Sequence, residues 1–417
     1  MRVRQLFLAL MLQTTLAQGQ IRLPPLPGLP LQNLPQSLDQ AEPGARDLLS
    51  DARHLEISRL IRANRRTVDT DSHGEPVVRG EILALSMDDD ALILAQSRGF
   101  VIDRQQSIVS ANIHLIVLRA PAGWSTKKAL LELRDAIPSG LYDYNHIYGG
   151  SGLTGVQPTA EPPIRAPPMG MTDRQSETPR PRTRVGLLDA GVDDTHPVFH
   201  DSIVHGWGCG GRQVPSPHGT AVASLLIAHA SAELYAADVY CGVATGGAVD
   251  AIVAALGWMD QELVPVINVS LVGPRNFILE RIVNVLIARG HVLVAAVGND
   301  GPAAPPLYPA AYIGVVGVTA VDAKRHVLLE AERGPQVMFS ALGADLKAAN
   351  IEHGYVTVRG TSFAAPTVAA LLADSLSSPS QDAARAAIEA LAKQAIDLGP
   401  PGKDLTYGFG LVGADQK

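Results

Sequence analysis

The sequence predicts an α/β protein: a doubly wound, mostly parallel sheet preceded by a small α+β module. Two observations support this. The second half of the chain alternates helical stretches with almost continuously apolar strands such as "VPVINVSLV" and "HVLVAAVGN", a composition typical of strands buried on both faces. A stretch rich in Gly and Pro, residues 150–182, separates this half from a shorter region with a different pattern.

Composition indicates a globular chain and excludes one class of partner. The 417 residues are 46% hydrophobic and 18% charged, enough to bury a large core. The formal net charge is −7, and the chain has no long Lys/Arg cluster. A nucleic-acid surface needs such a cluster to displace phosphate counterions, so we expect none.

The N-terminus resembles an export signal. Residues 1–17 combine two arginines, a short apolar run and a small-residue exit at Ala17. The run is too short for a stable membrane span, so we expect a periplasmic or secreted protein. The alternative is a hydrophobic N-terminal helix of the fold. Residues 18–75, which begin with proline-punctuated sequence, are predicted to be a flexible leader.

Residues 76–149 carry alternating strand and helix signals. "EILALSM" indicates a strand, "DDDALILAQSRG" a helix, and "FVIDRQQ" with "SANIHLIVLRA" a strand pair. Ser125 caps the helix "TKKALLELRDAI", and "GLYDYNHIY" supplies the last strand. The order β-α-β-β-α-β fits a ferredoxin-like module. Its histidines are isolated, and nothing in it indicates catalysis.

The larger domain, residues 183–417, is where the sequence places the chemistry. A helix from Phe277 to Arg289 is predicted by its cap Asn276, its apolar spacing and the terminating Gly290. Together with the apolar strands it predicts a doubly wound sheet, in which sites form at the carboxyl ends of the strands.

Three polar residues occupy such positions. Asp189 ends the first core strand, His218 begins a helical run, and Ser362 follows Gly360-Thr361 at another helix start. Each alone could be a turn or cap residue. An amide at a helix N-terminus can stabilise developing negative charge, so a serine there can attack a carbonyl. The conjunction of acid, base and hydroxyl therefore indicates nucleophilic catalysis.

Four segments carry a family resemblance: "VGLLDAGVDDTHPVF", "HGTAVASLL", "VAAVGND" and "GTSFAAP". In this order they resemble the subtilisin-like serine proteases (subtilases, peptidase S8), over about residues 183–415. The resemblance implies that Asp189 orients the imidazole, that His218 is general base and then acid, and that Ser362 is the nucleophile. Asn299 would donate to the oxyanion.

The resemblance also implies a substrate cleft and no cofactor or metal in the chemistry. A small or uncharged side chain is expected before the scissile bond, because Val272 stands where the family usually has glycine. Ala221 departs from the family's second histidine, and Asp193 with Asp194 is expected to be a solvated turn rather than a calcium site. The expected substrate-binding residues are Ser270, Leu271, Val272, Gly273, Ala296, Val297 and Gly298.

By resemblance, the N-terminal module is an inhibitory propeptide whose tail "YDYNHIYGG" lies in the cleft. A cut is then expected near Tyr148 to Gly150 or within the following linker. The alternative is a permanent partner-binding domain. Cys209 and Cys241, the two cysteines of the chain, are expected to form a disulfide if the protein is exported; two buried thiols are the alternative.

The sequence therefore predicts an exported serine endopeptidase made as a zymogen, acting on protein or peptide substrates. Two alternatives stay open: a catalytically silent relative that binds peptides or a partner, and a serine acyl-transferase or esterase using the same site. The acyl-enzyme does not dictate what attacks it.

Overall fold

The computed structural model describes residues 43–108, 113–150, 183–228 and 232–413. The predicted signal peptide, residues 1–17, lies outside them, as do residues 18–42 of the predicted leader and residues 151–182 of the predicted linker. Within the described ranges, no helix has the length and apolar character needed to cross a membrane.

The second part of the predicted leader is ordered. Helix α1 spans Pro43–Ala63 and strand β1 spans Val68–Thr70. The prediction of a flexible leader up to residue 75 is therefore wrong from residue 43 onward. The prediction treated the prolines up to this point as a sign of irregular structure. Pro43 is instead the first residue of the helix, a position at which the missing N–H of proline costs nothing.

Residues 76–150 form the N-terminal module in the order β-α-β-β-α-β. Its elements are β2 (Pro76–Leu85), α2 (Asp89–Ser97), β3 (Val101–Ile108), β4 (Ile113–Arg119), α3 (Thr126–Ala136) and β5 (Leu141–Gly150). The strands form an antiparallel sheet in the order β5-β2-β4-β3, and β1 pairs with β2. The Asp88 carboxylate caps α2 and the Ser125 hydroxyl caps α3.

The two faces of this sheet have different partners. Leu118, on one face, packs with Leu130 and Leu133 of α3. Leu83 and Leu115, on the other face, share a hydrophobic cluster with helices of the larger domain. Successive side chains of a strand point to opposite faces of the sheet. One face therefore packs against α3, and the other packs against the larger domain.

The larger domain contains the remaining elements. Its strands are β6 (Thr183–Asp189), β7 (Ile203–Trp207), β8 (Ala232–Asp238), β9 (Gly247–Ala248), β10 (Val266–Val269), β11 (Leu271–Val272), β12 (Val292–Ala296), β13 (Val316–Val321), β14 (Val337–Leu342), β15 (Leu346–Ala349) and β16 (Tyr355–Val358). Its α-helices are α4 (Pro217–Leu226), α5 (Val249–Gln261), α6 (Phe277–Ala288), α7 (Thr361–Ala373) and α8 (Gln381–Gln394).

A seven-stranded sheet in the order β14-β13-β12-β10-β6-β8-β7 forms its centre. Every neighbouring pair in it is parallel. Helices α4, α7 and α8 cover one face and α5 and α6 the other. The predicted doubly wound parallel sheet is confirmed, because strands enclosed on both sides need the continuous apolar runs seen in the sequence.

The tail of the N-terminal module reaches the larger domain as a strand. Ile147 and Tyr148 of β5 pair antiparallel with β9, and Gly149 and Gly150 pair antiparallel with β11. Gly150, which the sequence assigned to the linker, is therefore the last residue of β5. This places the end of the module at the carboxyl edge of the central sheet.

Candidate active site

Asp189 and His218 are joined by a direct hydrogen bond. Asp189 is the last residue of β6 and His218 the second residue of α4, so a strand end and a helix start bring them together. The His218 Nδ1 atom lies 2.8 Å from Asp189 Oδ1, which also accepts from the Ala190 N–H at 2.6 Å. The Asp189 side chain is 1% exposed and that of His218 14%, so solvent screens the pair weakly.

The pKa of His218 is raised above its ordinary value of 6.5. Burial alone would lower it, but the negative charge of Asp189 and the hydrogen bond to it outweigh burial. A raised pKa makes the ring a stronger proton acceptor, and the bond at Nδ1 leaves Nε2 as the nitrogen available to a substrate or nucleophile.

Ser362 is fully buried at the start of α7. The Ser270 hydroxyl donates to its carbonyl oxygen at 3.1 Å and in turn accepts from Asn268 Nδ2 at 2.8 Å. The neighbouring Phe363 ring lies 5.3 Å from the His218 ring, centroid to centroid. The first turn of α7 therefore packs directly against the imidazole.

Asn299 lies beside the same helix start. Its Oδ1 accepts from the Thr361 N–H at 3.1 Å. Gly360 has φ +138°, and a Cβ there would lie 3.0 Å from Asn299 Nδ2, tighter than most such contacts. Glycine is therefore required at position 360 both by its backbone angle and by the close approach of the amide.

The expected substrate-binding residues belong to two segments, named here the first wall (residues 270–273) and the second wall (residues 296–298). On the first wall, Leu271 and Val272 carry the backbone pairing with β5, while Ser270 contacts Ser362. A Cβ on Gly273 would lie 2.7 Å from the Tyr148 ring, so the glycine makes room for that ring. The second wall begins with Ala296, the last residue of β12; Ala296 and Val297 are fully buried and Gly298 precedes Asn299.

Several residues of the site were not predicted from the sequence. Thr361 accepts from the Gly298 N–H through its hydroxyl at 3.3 Å. Asp300 pairs with Arg53 of α1 at 2.9 Å, and Glu332 and Leu307 lie against Gly298. "GND" and "GTS" could have suggested Asp300 and Thr361 by adjacency, whereas Leu307 and Glu332 carry no local signal.

The predicted disulfide between Cys209 and Cys241 is present, with Cα atoms 5.2 Å apart. It lies next to β8, where the Cys241 N–H donates to Asp238 Oδ1 at 2.8 Å. Asp193 Oδ1 accepts from the Thr195 hydroxyl at 2.6 Å within the same turn.

The doubly wound sheet carries a histidine bonded to an aspartate, a serine at a helix N-terminus and an asparagine amide beside that helix. This arrangement is typical of the serine hydrolases. Comparison with known proteins makes the class specific. A model of the subtilase family, Peptidase S8, matches residues 181–410. The chain therefore belongs to the subtilase family of serine-type endopeptidases.

Two known proteases are similar to this chain over 246 and 250 residues. Subtilisin DY of Bacillus licheniformis is 30% identical over 250 residues, covering 56% of this chain and 89% of that protein. The minor extracellular protease Epr of Bacillus subtilis (strain 168) is 28% identical over 246 residues, covering 55% of this chain but 37% of its own length. The chain thus spans little more than a third of Epr.

Among solved structures, fervidolysin from Fervidobacterium pennivorans is similar in fold, with a TM-score of 0.63 at 17% identity. The similarity covers 83% of this chain and 62% of that one.

Proposed function

We propose that this chain is an exported serine endopeptidase made as a zymogen, with its N-terminal module as the intramolecular inhibitor. One observation carries the proposal: the module's last strand pairs with both β9 and β11 and ends beside His218. Antiparallel backbone pairing to an extended peptide is how a cleft binds a substrate without reading its sequence.

The proposed chemistry uses four side chains. His218 takes the proton of the Ser362 hydroxyl as that oxygen attacks the peptide carbonyl. The Asn299 amide and the Ser362 N–H donate to the oxyanion, and His218 then protonates the leaving amine. Water attacks the acyl-serine through the same base and frees the enzyme. Asp189 holds the ring in the productive tautomer.

The position of the tail supports a cut close to the end of the module. A Cβ on Gly150 would lie 3.8 Å from His218 Nε2, so the side-chain direction of this residue faces the imidazole. The proposed cut lies near Tyr148 to Gly150 or within the following linker.

The module also holds the two helices that flank the cleft. Asp143 Oδ2 accepts from the Phe277 N–H, the first of α6, at 2.7 Å. Asn145 Oδ1 accepts from the Asp250 N–H in the first turn of α5 at 3.2 Å. Unpaired N–H groups at helix starts favour such acceptors. These contacts support a role of the module in folding and inhibition rather than a loose attachment.

Export is supported by two features. Residues 1–17 have the pattern of a signal peptide, and the Cys209–Cys241 disulfide is typical of proteins in an oxidising compartment. We therefore propose a periplasmic or secreted enzyme that acts on proteins or peptides.

Ser362→Ala tests the function. The wild-type chain should shorten by the N-terminal module and react with a fluorophosphonate probe; the variant should do neither, because the nucleophile is missing. Intact mass and N-terminal sequencing give the first readout and probe labelling the second. Thr367→Ala, on the same helix but away from its start, is the control. A folded wild type that the probe leaves unlabelled would refute the proposal.

Tyr148→Ala tests inhibition. The ring is fully buried and its hydroxyl donates to the Pro274 carbonyl at 2.5 Å. Losing a buried aromatic ring costs about 3 kcal/mol, so the cleaved module should bind the mature domain about 100-fold more weakly. Size-exclusion chromatography and the inhibition constant measure this. Tyr148→Phe, which keeps the ring, should stay close to wild type. Equal binding by Tyr148→Ala would show that the tail does not fill the cleft.

A further inference from the structure

The position of His218 depends on residues 212–216, named here the entry segment because they lead into α4. This segment is not helical, so its contacts with neighbouring loops hold it in place. The Ser216 N–H donates to the Gly191 carbonyl at 2.9 Å, and Gly191 follows Asp189 by two residues. The entry segment therefore fixes the start of α4, and with it the imidazole, relative to the Asp189 carboxylate.

Asp238 holds the entry segment from a second side. It is the last residue of β8, lies in register with Asp189 of β6 and is 1% exposed. Its Oδ2 accepts from the Val214 N–H at 2.9 Å, and its Oδ1 accepts from the Cys241 N–H at 2.8 Å. A charged acceptor binds such donors more strongly than a neutral one. One buried carboxylate thus joins the turn after β8 to the entry segment.

The turn after β8 and the entry segment are also closely packed. A Cβ on Gly191 would lie 2.2 Å from the Val214 carbonyl oxygen and 2.8 Å from Asp238 Oδ2. A Cβ on Gly242, at the end of the turn, would lie 3.1 Å from Val214 Cγ1. Because the backbones approach so closely, a shift of the turn displaces the entry segment.

The disulfide is in contact with the Asp238 carboxylate. Cys209 Sγ lies 3.1 Å from Asp238 Oδ2, and the Cys241 N–H is a donor to Oδ1. Both cysteines have a left-handed backbone, with φ +52° at Cys209 and +49° at Cys241, a region that residues with a side chain seldom adopt. The covalent bond helps to hold these conformations. Cys241 is exposed and Cys209 half-buried, so a reductant in solution can reach the bridge.

We propose that Asp238 is a positioning residue for His218 and that the Cys209–Cys241 disulfide is a redox switch acting through it. The inference rests on the proposed endopeptidase function. A dithiol reduces the bridge by exchange: the S–S bond breaks, two protein thiols form, and the dithiol gives up two electrons and two protons to become a disulfide. The turn after β8 then relaxes, the Val214 N–H loses its fixed acceptor, and His218 moves relative to Asp189.

The switch matches the proposed export of the enzyme. Disulfides are rare in a reducing cytosol and persist in an oxidising compartment. The reduced chain therefore keeps its base misplaced before export, in addition to the proposed block by the N-terminal module. Formation of the bridge outside the cytosol completes the site.

The first experiment titrates the matured protein with dithiothreitol and follows free thiols, peptide hydrolysis and the unfolding midpoint. As the two thiols appear, we expect kcat to fall about 10-fold or more with little change in KM, because a misplaced base slows the chemistry without weakening substrate binding. Reoxidation with glutathione disulfide should restore kcat. The acid limb of kcat/KM should also move to lower pH on reduction, because His218 loses part of the contact with Asp189 that raises its pKa.

The double variant Cys209→Ser with Cys241→Ser is the control for the reductant. After cleavage in trans by the wild-type enzyme, it should have the kcat of the reduced wild type and should not respond to dithiothreitol. A further loss of activity on adding the reductant would mean that dithiothreitol acts elsewhere.

Asp238→Asn tests the carboxylate in the oxidised protein. A neutral amide cannot accept equally well at both of its ends, so kcat should again fall about 10-fold with KM kept. Asp322→Asn is the matched control: Asp322 also accepts from two backbone N–H groups, each at 2.9 Å, in the turn after β13. Its kcat should equal that of the wild type.

The outcomes separate the switch from the function on which it rests. Full reduction that leaves kcat and the acid limb unchanged overturns the switch, and an unchanged Asp238→Asn or a loss confined to KM overturns the positioning role. If reduction unfolds the protein, Asp238→Asn decides; if that variant does not fold, the reduced wild type decides. A wild type that hydrolyses no peptide and resists the fluorophosphonate probe before any reduction overturns the proposed function itself.

Discussion

Asp189→Asn is expected to lower kcat/KM about 10⁴-fold, the size of loss this change causes in other Asp-His-Ser proteases. Asp189 Oδ1 accepts a hydrogen bond from His218 Nδ1, and the two atoms are 2.8 Å apart. An asparagine can turn its NH₂ group to that nitrogen, which moves the ring proton to Nε2. The imidazole then faces Ser362 with a proton instead of a lone pair and cannot act as a base.

The same change should move the pH profile. In the wild type the charge of Asp189 helps to raise the pKa of His218 above 6.5, against the effect of burial. His218 must be neutral to accept a proton, so activity rises as pH passes upward through the pKa, and the acid limb should lie above pH 6.5. Without the charge, burial dominates and the residual activity should have its acid limb at lower pH.

Asp193→Asn is the matched control. It removes the same charge four residues later, at a turn where the carboxylate accepts from Thr195. Its kcat/KM and acid limb should match those of the wild type. If Asp189→Asn lost less than about tenfold, or both variants lost equally, Asp189 would not be the partner that orients the base.

Asn299→Ala is expected to lower kcat by about 10²–10³ with little change in KM, the loss known for removing the corresponding amide of subtilisin. The amide donates only once negative charge has developed on the substrate oxygen, so its removal acts on the transition state and not on binding. Steady-state kinetics on the matured protein, with probe labelling to count active sites, separates the two parameters.

The alanine variant also removes the acceptor for the Thr361 N–H, so its unfolding midpoint should be measured alongside. Asp300→Asn is the neighbouring control: its carboxylate pairs with Arg53 of α1, so kcat of the matured enzyme should stay near wild type. A loss confined to KM would argue that Asn299 binds substrate in the ground state.

The sequence by itself determined the doubly wound sheet and the candidate catalytic residues. Apolar runs such as "VINV" can be buried only between two layers, which fixes the class of fold. Asp189, His218, Ser362 and Asn299 each follow a strand or begin a helix, and the parallel sheet gathers such positions at one edge. Local sequence signals can nominate these candidates because each lies at the end of a regular element.

Only the tertiary structure decided the rest. Helix α1 and strand β1 were missed because nothing local distinguishes them from the proline-rich leader; β1 is ordered by pairing with β2. Leu307 and Glu332 belong to segments between strands, and only the folded chain brings them against Gly298. A long-range contact leaves no periodic trace in the sequence, and the protonation of a carboxyl depends on burial that only the folded chain creates.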